Sequence, residues 1–257
     1  MLIALFFGLG LIFGSFLTVV IGRVPRGESI VRPRSRCPAC GTEIRARDNV
    51  PVVSWILLRG RCRACGEPIS AEYPMVELAA GVLFAAAAAL VEPLYAASLA
   101  APFLGVMLVI GVIDTRHRVV PNRIVYPSLG LFAVAIVVGD LAGGGVDAVD
   151  AAIGMALYGV PLLLVAVAVP HGMGMGDVKL AALIGLVLGS LGLSYVAVAA
   201  GVGVIGGGIG AILALALLGA GRKDQIPFGP FLAGGAVVAV LAGPQIADLY
   251  LSLLGVG

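Results

Sequence analysis

Uncharged stretches long enough to cross a bilayer recur along this 257-residue chain, and they leave it few folds to choose from. Residues 1–22, 93–113, 124–139, 151–170, 180–221 and 225–247 carry no charged side chain, and 74–91 is interrupted only by Glu77. A spanning helix needs about 20 mostly apolar residues. The 180–221 run, 42 residues long, therefore holds two. Eight helices are expected, near 2–21, 74–91, 94–113, 124–139, 151–170, 180–194, 196–219 and 228–250, the sixth of them short. They must be helical because hydrocarbon offers the backbone no hydrogen-bond partner. Composition agrees: 60% of residues are hydrophobic, 12% are charged, and the mean hydropathy is +1.12. Such a chain is not a water-soluble globule, a disordered segment or a basic nucleic-acid-binding domain. The expected class is an all-α polytopic membrane protein with the lipid bilayer as its surroundings. Its parts are a first helix (1–21), a polar segment (22–73) and a seven-helix membrane core (74–257).

Charge fixes the orientation. If the helices alternate in direction, loops 22–73, 114–123, 171–179 and 220–227 share one face. Those loops hold all 16 Lys and Arg residues of the chain. The opposite face keeps only acids: Glu92, Asp140, Asp147, Asp150 and Asp248. Positive loops stay cytoplasmic, so both termini are expected to face outward. The first segment lacks a basic n-region and a small-residue cleavage site. It reads as a retained helix rather than a signal peptide. The glycine-rich stretch 201–210 has neither a preceding strand nor a Lys-Ser/Thr ending, so it reads as helix packing and not as a phosphate loop.

The polar segment holds all four cysteines, in Cys37-Pro-Ala-Cys40-Gly41 and Cys62-Arg-Ala-Cys65-Gly66. Paired C-x2-C knuckles at this separation match a structural zinc site, tetrahedral and closed. Each trailing glycine permits a tight turn that aims backbone N–H groups at thiolates. A disulfide pair and four free thiols are the alternatives, and a reducing cytoplasm disfavours the first.

Two acids end up at one membrane face. Asp114 follows the third apolar run and Asp177 the fifth, within Gly172-Met-Gly174-Met-Gly176-Asp177-Val-Lys179. Two intervening helices return the chain to the same side. Acids at membrane depth are costly and tend to be functional. Two carboxyls sharing one proton can activate water against an amide carbonyl. The blander readings are a solvated acid beside Arg116 and Arg118, and a helix cap at Asp177. His117 and His171 are the only histidines, and Glu77 either pairs with loop arginines or faces the site.

Taken in order, these motifs resemble the bacterial type IV prepilin peptidases, bifunctional leader peptidase/N-methyltransferases that are membrane aspartyl proteases of the GxGD type. The resemblance is carried by Gly14-Ser15-Phe16-Leu17 and by the two knuckles with Asp48-Asn49-Val50-Pro51 and Ser54-Trp55 between them. It continues through Glu72-Tyr73-Pro74-Met75-Val76-Glu77, Asp114, Gly174-Met175-Gly176-Asp177-Val178-Lys179 and Ile226-Pro227-Phe228-Gly229-Pro230. The resemblance implies catalytic Asp114 and Asp177, supported by a turn containing Gly174, Gly176 and Lys179. It implies zinc on Cys37, Cys40, Cys62 and Cys65. It implies prepilin or pseudopilin substrates, cut after a glycine at the cytoplasmic face of the bacterial inner membrane. The new N-terminus is then methylated from S-adenosylmethionine. Thr18 departs from the family, which commonly has Asn there. No nucleotide-type glycine fingerprint is present, so methyl transfer rests on resemblance alone. Three rivals remain: a peptidase without methyl transfer, a proton-coupled transporter using the two acids as relays, and a non-catalytic zinc module.

Overall fold

Apolar helices that cannot satisfy their backbone from lipid pack side by side. The computed structural model shows that outcome for residues 1–169, 173–217, 227–253 and 255, the residues it describes. The α-helices are α1 Leu2–Arg23, α2 Val53–Leu57, α3 Glu72–Leu90, α4 Leu94–His117, α5 Asn122–Leu141, α6 Ala148–Ala168, α7 Met175–Leu191, α8 Leu193–Leu217 and α9 Gly229–Leu253. Among the described residues there is no strand, only two isolated bridges inside the cysteine segment. The eight expected spans correspond to α1 and α3–α9. Seven of these are long and apolar enough to cross a membrane, and α7, the short one, has 17 residues. The small α2 was not expected from the sequence.

Helix ends differ from the sequence expectation at the points that matter most. The expected 94–113 helix runs on to His117, so Asp114 lies inside α4 rather than after it. The expected 180–194 helix starts at Met175, so Asp177 lies in the first turn of α7 rather than in the turn preceding it. The physical reason is common to both. Charged residues end an uncharged run, but at the aqueous edge of a membrane they do not end a helix.

α4 and α7 are the most enclosed helices of the bundle. Phe103, Leu104, Met107, Ile110 and Ile113 of α4, and Leu180, Leu183, Ile184 and Leu188 of α7, are fully enclosed. α1 lies on α3 and α4, α6 on α7, and α8 on α9, which also touches α4 and α7. The α6–α7 pair meets backbone to backbone. A Cβ at Gly185 would strike the Gly154 carbonyl. We expect Gly185→Leu to destabilise the fold by at least about 3 kcal/mol, the upper end of overpacking. Gly130→Leu, where a Cβ meets nothing, should be silent. Thermal unfolding in detergent checks both.

Three basic side chains at helix ends tie neighbouring elements together. Arg123 donates to the Gly27 carbonyl at 3.1 Å, Arg116 pairs with Glu72, and Lys179 donates to Asn122 Oδ1 at 3.1 Å. His171, Gly172, Arg222, Lys223 and Ile226 lie outside the described residues.

Candidate active site and metal centre

Asp114 is enclosed, at 4% exposure, one turn before the end of α4. Its Oδ2 accepts the backbone N–H of Gly229, the first residue of α9, at 3.0 Å. This contact requires glycine. A Cβ at Gly229 would stand 2.6 Å from Asp114 Oδ2. The sequence motif around Gly229 was legible, but its job against Asp114 was not.

Asp177 is the third residue of α7 and is half-buried, with its N–H donating to the Gly174 carbonyl at 3.0 Å. The N-cap is Gly174, without a side-chain cap. Asp177 is therefore not the helix cap that one reading of the sequence offered. The second glycine of the turn draws α7 against the chain that leaves α4. A Cβ at Gly176 would come within 2.9 Å of Val120 Cβ. A Cβ at Gly174 would stand 3.4 Å from Asp177 Oδ2, an ordinary contact. The end of α4 that carries Asp114 and the start of α7 that carries Asp177 are linked through the Gly176–Val120 contact. Two acids at such helix ends can take and give a proton across a bound amide.

Lys179 reaches away along α7. Besides its bond to Asn122, its ammonium sits 5.0 Å from the centroid of the Tyr126 ring. It thus ties α7 to α5 through a hydrogen bond and a cation–π contact. His117 is exposed at the end of α4.

Glu77 is buried, and its Oε2 accepts the backbone N–H of Val52 at 2.7 Å. Val52 adopts φ +60 and ψ −50, and the N–H of Val53 bonds back to the Pro51 carbonyl. That is a γ-turn in its rarer, strained form, costly for a β-branched residue. A buried carboxylate therefore anchors the cysteine segment to α3. The signal was present in the sequence as the one acid inside an otherwise uncharged run.

The cysteine segment is built twice on one plan. In each knuckle the glycine takes a left-handed conformation, φ +71 at Gly41 and +75 at Gly66, and its N–H returns to the first cysteine's carbonyl at 2.9 Å. The four sulfurs all lie within 4.8 Å of one another, and none forms a disulfide. A hydrogen bond between the Cys40 sulfur and the Thr42 hydroxyl, with one to the Thr42 backbone, draws the Cys40 thiol down to about 6, and backbone bonds from Cys65 and Ala64 lower Cys62, while burial and the neighbouring cysteines push Cys65 up to about 12. Four converging sulfurs are a donor set suited to a tetrahedral soft-metal site. Around it, Arg63 grips Asp48 with bonds of 2.7 to 3.1 Å, which holds that carboxyl below its usual range. Trp55 Nε1 donates to the Ile69 carbonyl at 3.1 Å.

Comparison with known proteins gives two adjoining family matches. Residues 9–91 match the bacterial peptidase A24 N-terminal domain and residues 101–220 the type IV leader peptidase family. A prepilin leader peptidase/N-methyltransferase of Bacillus subtilis (strain 168) is 33% identical, over 98% of this chain and 99% of its own. Proteins of the same description from Stutzerimonas stutzeri and Pseudomonas aeruginosa are 34% and 33% identical, covering 95% and 96% of this chain and 91% and 92% of their own. No solved structure matches.

Proposed function

Because this chain belongs to the type IV leader peptidase family, we propose that it removes the leader from prepilins or pseudopilins with Asp114 and Asp177, and methylates the N-terminus it exposes. What supports the dyad is that the first turn of α7, which carries Asp177, packs through Gly176 on Val120 of the chain that leaves α4 just beyond Asp114. By the charge rule that end faces the cytoplasm, with both termini outside and the chain in the bacterial inner membrane.

A prepilin is itself a membrane helix whose scissile bond lies at the inner interface. One carboxylate takes a proton from water as the oxygen adds to the scissile carbonyl. The other carboxyl donates a proton to the departing amine. The Gly229 N–H holds Asp114 in place, and Gly176 holds Asp177 against the α4–α5 connection. The Lys179–Asn122 bond fixes the start of α7. S-adenosylmethionine supplies the methyl group for the second activity. A transporter would keep its acids near midplane, whereas these stand within one turn of a helix end.

Cys37, Cys40, Cys62 and Cys65 hold one structural zinc in this reading, with residues 22–73 as the unit it folds and 74–257 as the proteolytic core. Purified protein should carry one zinc per chain by elemental analysis. The Cys37→Ser/Cys62→Ser variant should carry none and become protease-sensitive within residues 22–73. Full zinc occupancy in that variant would refute the assignment.

The functional test is purified enzyme in detergent with a prepilin and labelled S-adenosylmethionine. Cleavage followed by label on the mature pilin is expected. Uncut prepilin under all lipid conditions would defeat the reading, and cleavage without label would restrict it to the peptidase.

A further inference from the structure

α4 carries one of the two acids, yet most of it is shut inside the bundle. At its basic end the partly exposed positions Leu108, Gly111, Val112, Thr115 and Arg116 form a single stripe. This stripe is one wall of an open groove of about 460 Å³ between α3, α4 and α9. The opposite wall includes Pro230, Ala233 and Gly234 of α9, with Leu83 of α3 beside them. The lining is almost entirely apolar until Thr115 and Arg116 at the mouth.

The groove's lining includes chain neighbours of two residues of the candidate active site. Thr115 follows Asp114 in α4, and Pro230 follows Gly229, whose N–H holds the Asp114 carboxylate. α7 offers no comparable approach, because from Leu180 to Ser190 all but Ala182 are buried. A lipid-embedded segment lying in this groove would run alongside the helix that carries Asp114.

The floor is lower than this chain's own packing requires. A Cβ at Gly234 would meet nothing, and one at Gly111 only Ala233 Cβ at 3.7 Å. Gly235, next in the chain, differs: a Cβ there would stand 2.5 Å from the Ala199 carbonyl. Shallow glycine surfaces are what a second membrane helix needs in order to approach closely. At the mouth, Arg116 is paired with Glu72, an acid that a basic leader would meet as it leaves the membrane.

We propose that the α3–α4–α9 groove seats the apolar helix of the prepilin substrate and delivers its emerging end to Asp114. The inference rests on the peptidase reading above and adds where that substrate lies. A lipid chain is the competing occupant.

The test is steady-state cleavage of a full-length prepilin in nanodiscs by wild type, Gly234→Ala, Gly234→Leu and the lipid-facing control Gly130→Leu. Filling the groove should raise KM in order of side-chain size. For Gly234→Leu we expect a rise on the order of tenfold with kcat within about twofold, the mark of lost ground-state binding. Gly130→Leu should match wild type. A photoreactive phenylalanine in place of Leu108, already a large side chain on the groove wall, should cross-link to the prepilin helix. KM equal to that of the control, a fall in kcat alone, or cross-links to lipid only with saturating prepilin present would overturn the groove. A wild type that cleaves no prepilin would instead defeat the peptidase reading, so the two failures are distinguishable.

Discussion

Asp114→Asn and Asp177→Asn should each lower the rate of leader removal by about 10³-fold or more, and the double variant should be no worse than either. General acid–base groups typically contribute about 10²–10⁴-fold each. In a pair that exchanges one proton, however, losing either partner disables the unit, and such losses are not additive. The substitution keeps shape and removes charge, so the fold should persist. Among the described residues Asp114 receives a backbone N–H, which an amide oxygen also accepts. Methylation of a pilin supplied already mature should continue in these variants if the two activities have separate sites. Single-turnover cleavage, with helical content as the folding control, makes the comparison. Product formation at wild-type rate by either single variant would remove that residue from the chemistry.

Gly229→Ala is the second large effect, and it acts without touching a reacting group. The added methyl would stand 2.6 Å from Asp114 Oδ2, closer than real carbon atoms approach. Either α9 moves outward or the carboxylate turns away, and both break the 3.0 Å bond that orients it. A displacement near 1 Å at a reacting group can cost about 10²-fold. We therefore expect kcat to fall on that scale while KM for prepilin changes little. The turn glycines should rank by what their Cβ would meet. Gly176→Ala, at 2.9 Å from Val120 Cβ, should impair cleavage more than Gly174→Ala, whose Cβ at 3.4 Å from Asp177 Oδ2 finds ordinary room. Kinetics of the three alanine variants on one substrate would show the order. An inactive Gly174→Ala beside an active Gly229→Ala would contradict this geometry.

The membrane architecture was legible because it is written in charge. Eight long helices follow from uncharged runs, and seven of them are long and apolar enough to cross a membrane. The cysteine cluster was equally legible, because C-x2-C spacing and a trailing glycine dictate a local turn. What escaped the sequence reading depends on distance in the chain. Gly229 meets Asp114 across 115 positions, and Asn122 meets Lys179 across 57. No periodicity or local propensity encodes such a pairing. Glu77 stands out in the sequence as an acid that pairs with loop arginines or faces the site, but its bond to the backbone N–H of Val52, 25 positions away, is not legible there. Helix ends were misjudged by about four residues at α4 and five at α7. Membrane helices continue into the interface where charge becomes tolerable.

The central claim is that Asp114 and Asp177 act on one bond. Its most direct test is a cryo-EM structure of the enzyme with a prepilin-derived inhibitor carrying a hydroxyl in place of the scissile carbonyl. Both carboxyls should lie about 2.6–3.2 Å from that single hydroxyl, the range for proton transfer, with the Gly229 N–H still on Asp114. A hydroxyl contacted by only one of the two acids, or bound elsewhere on the protein, would contradict the account.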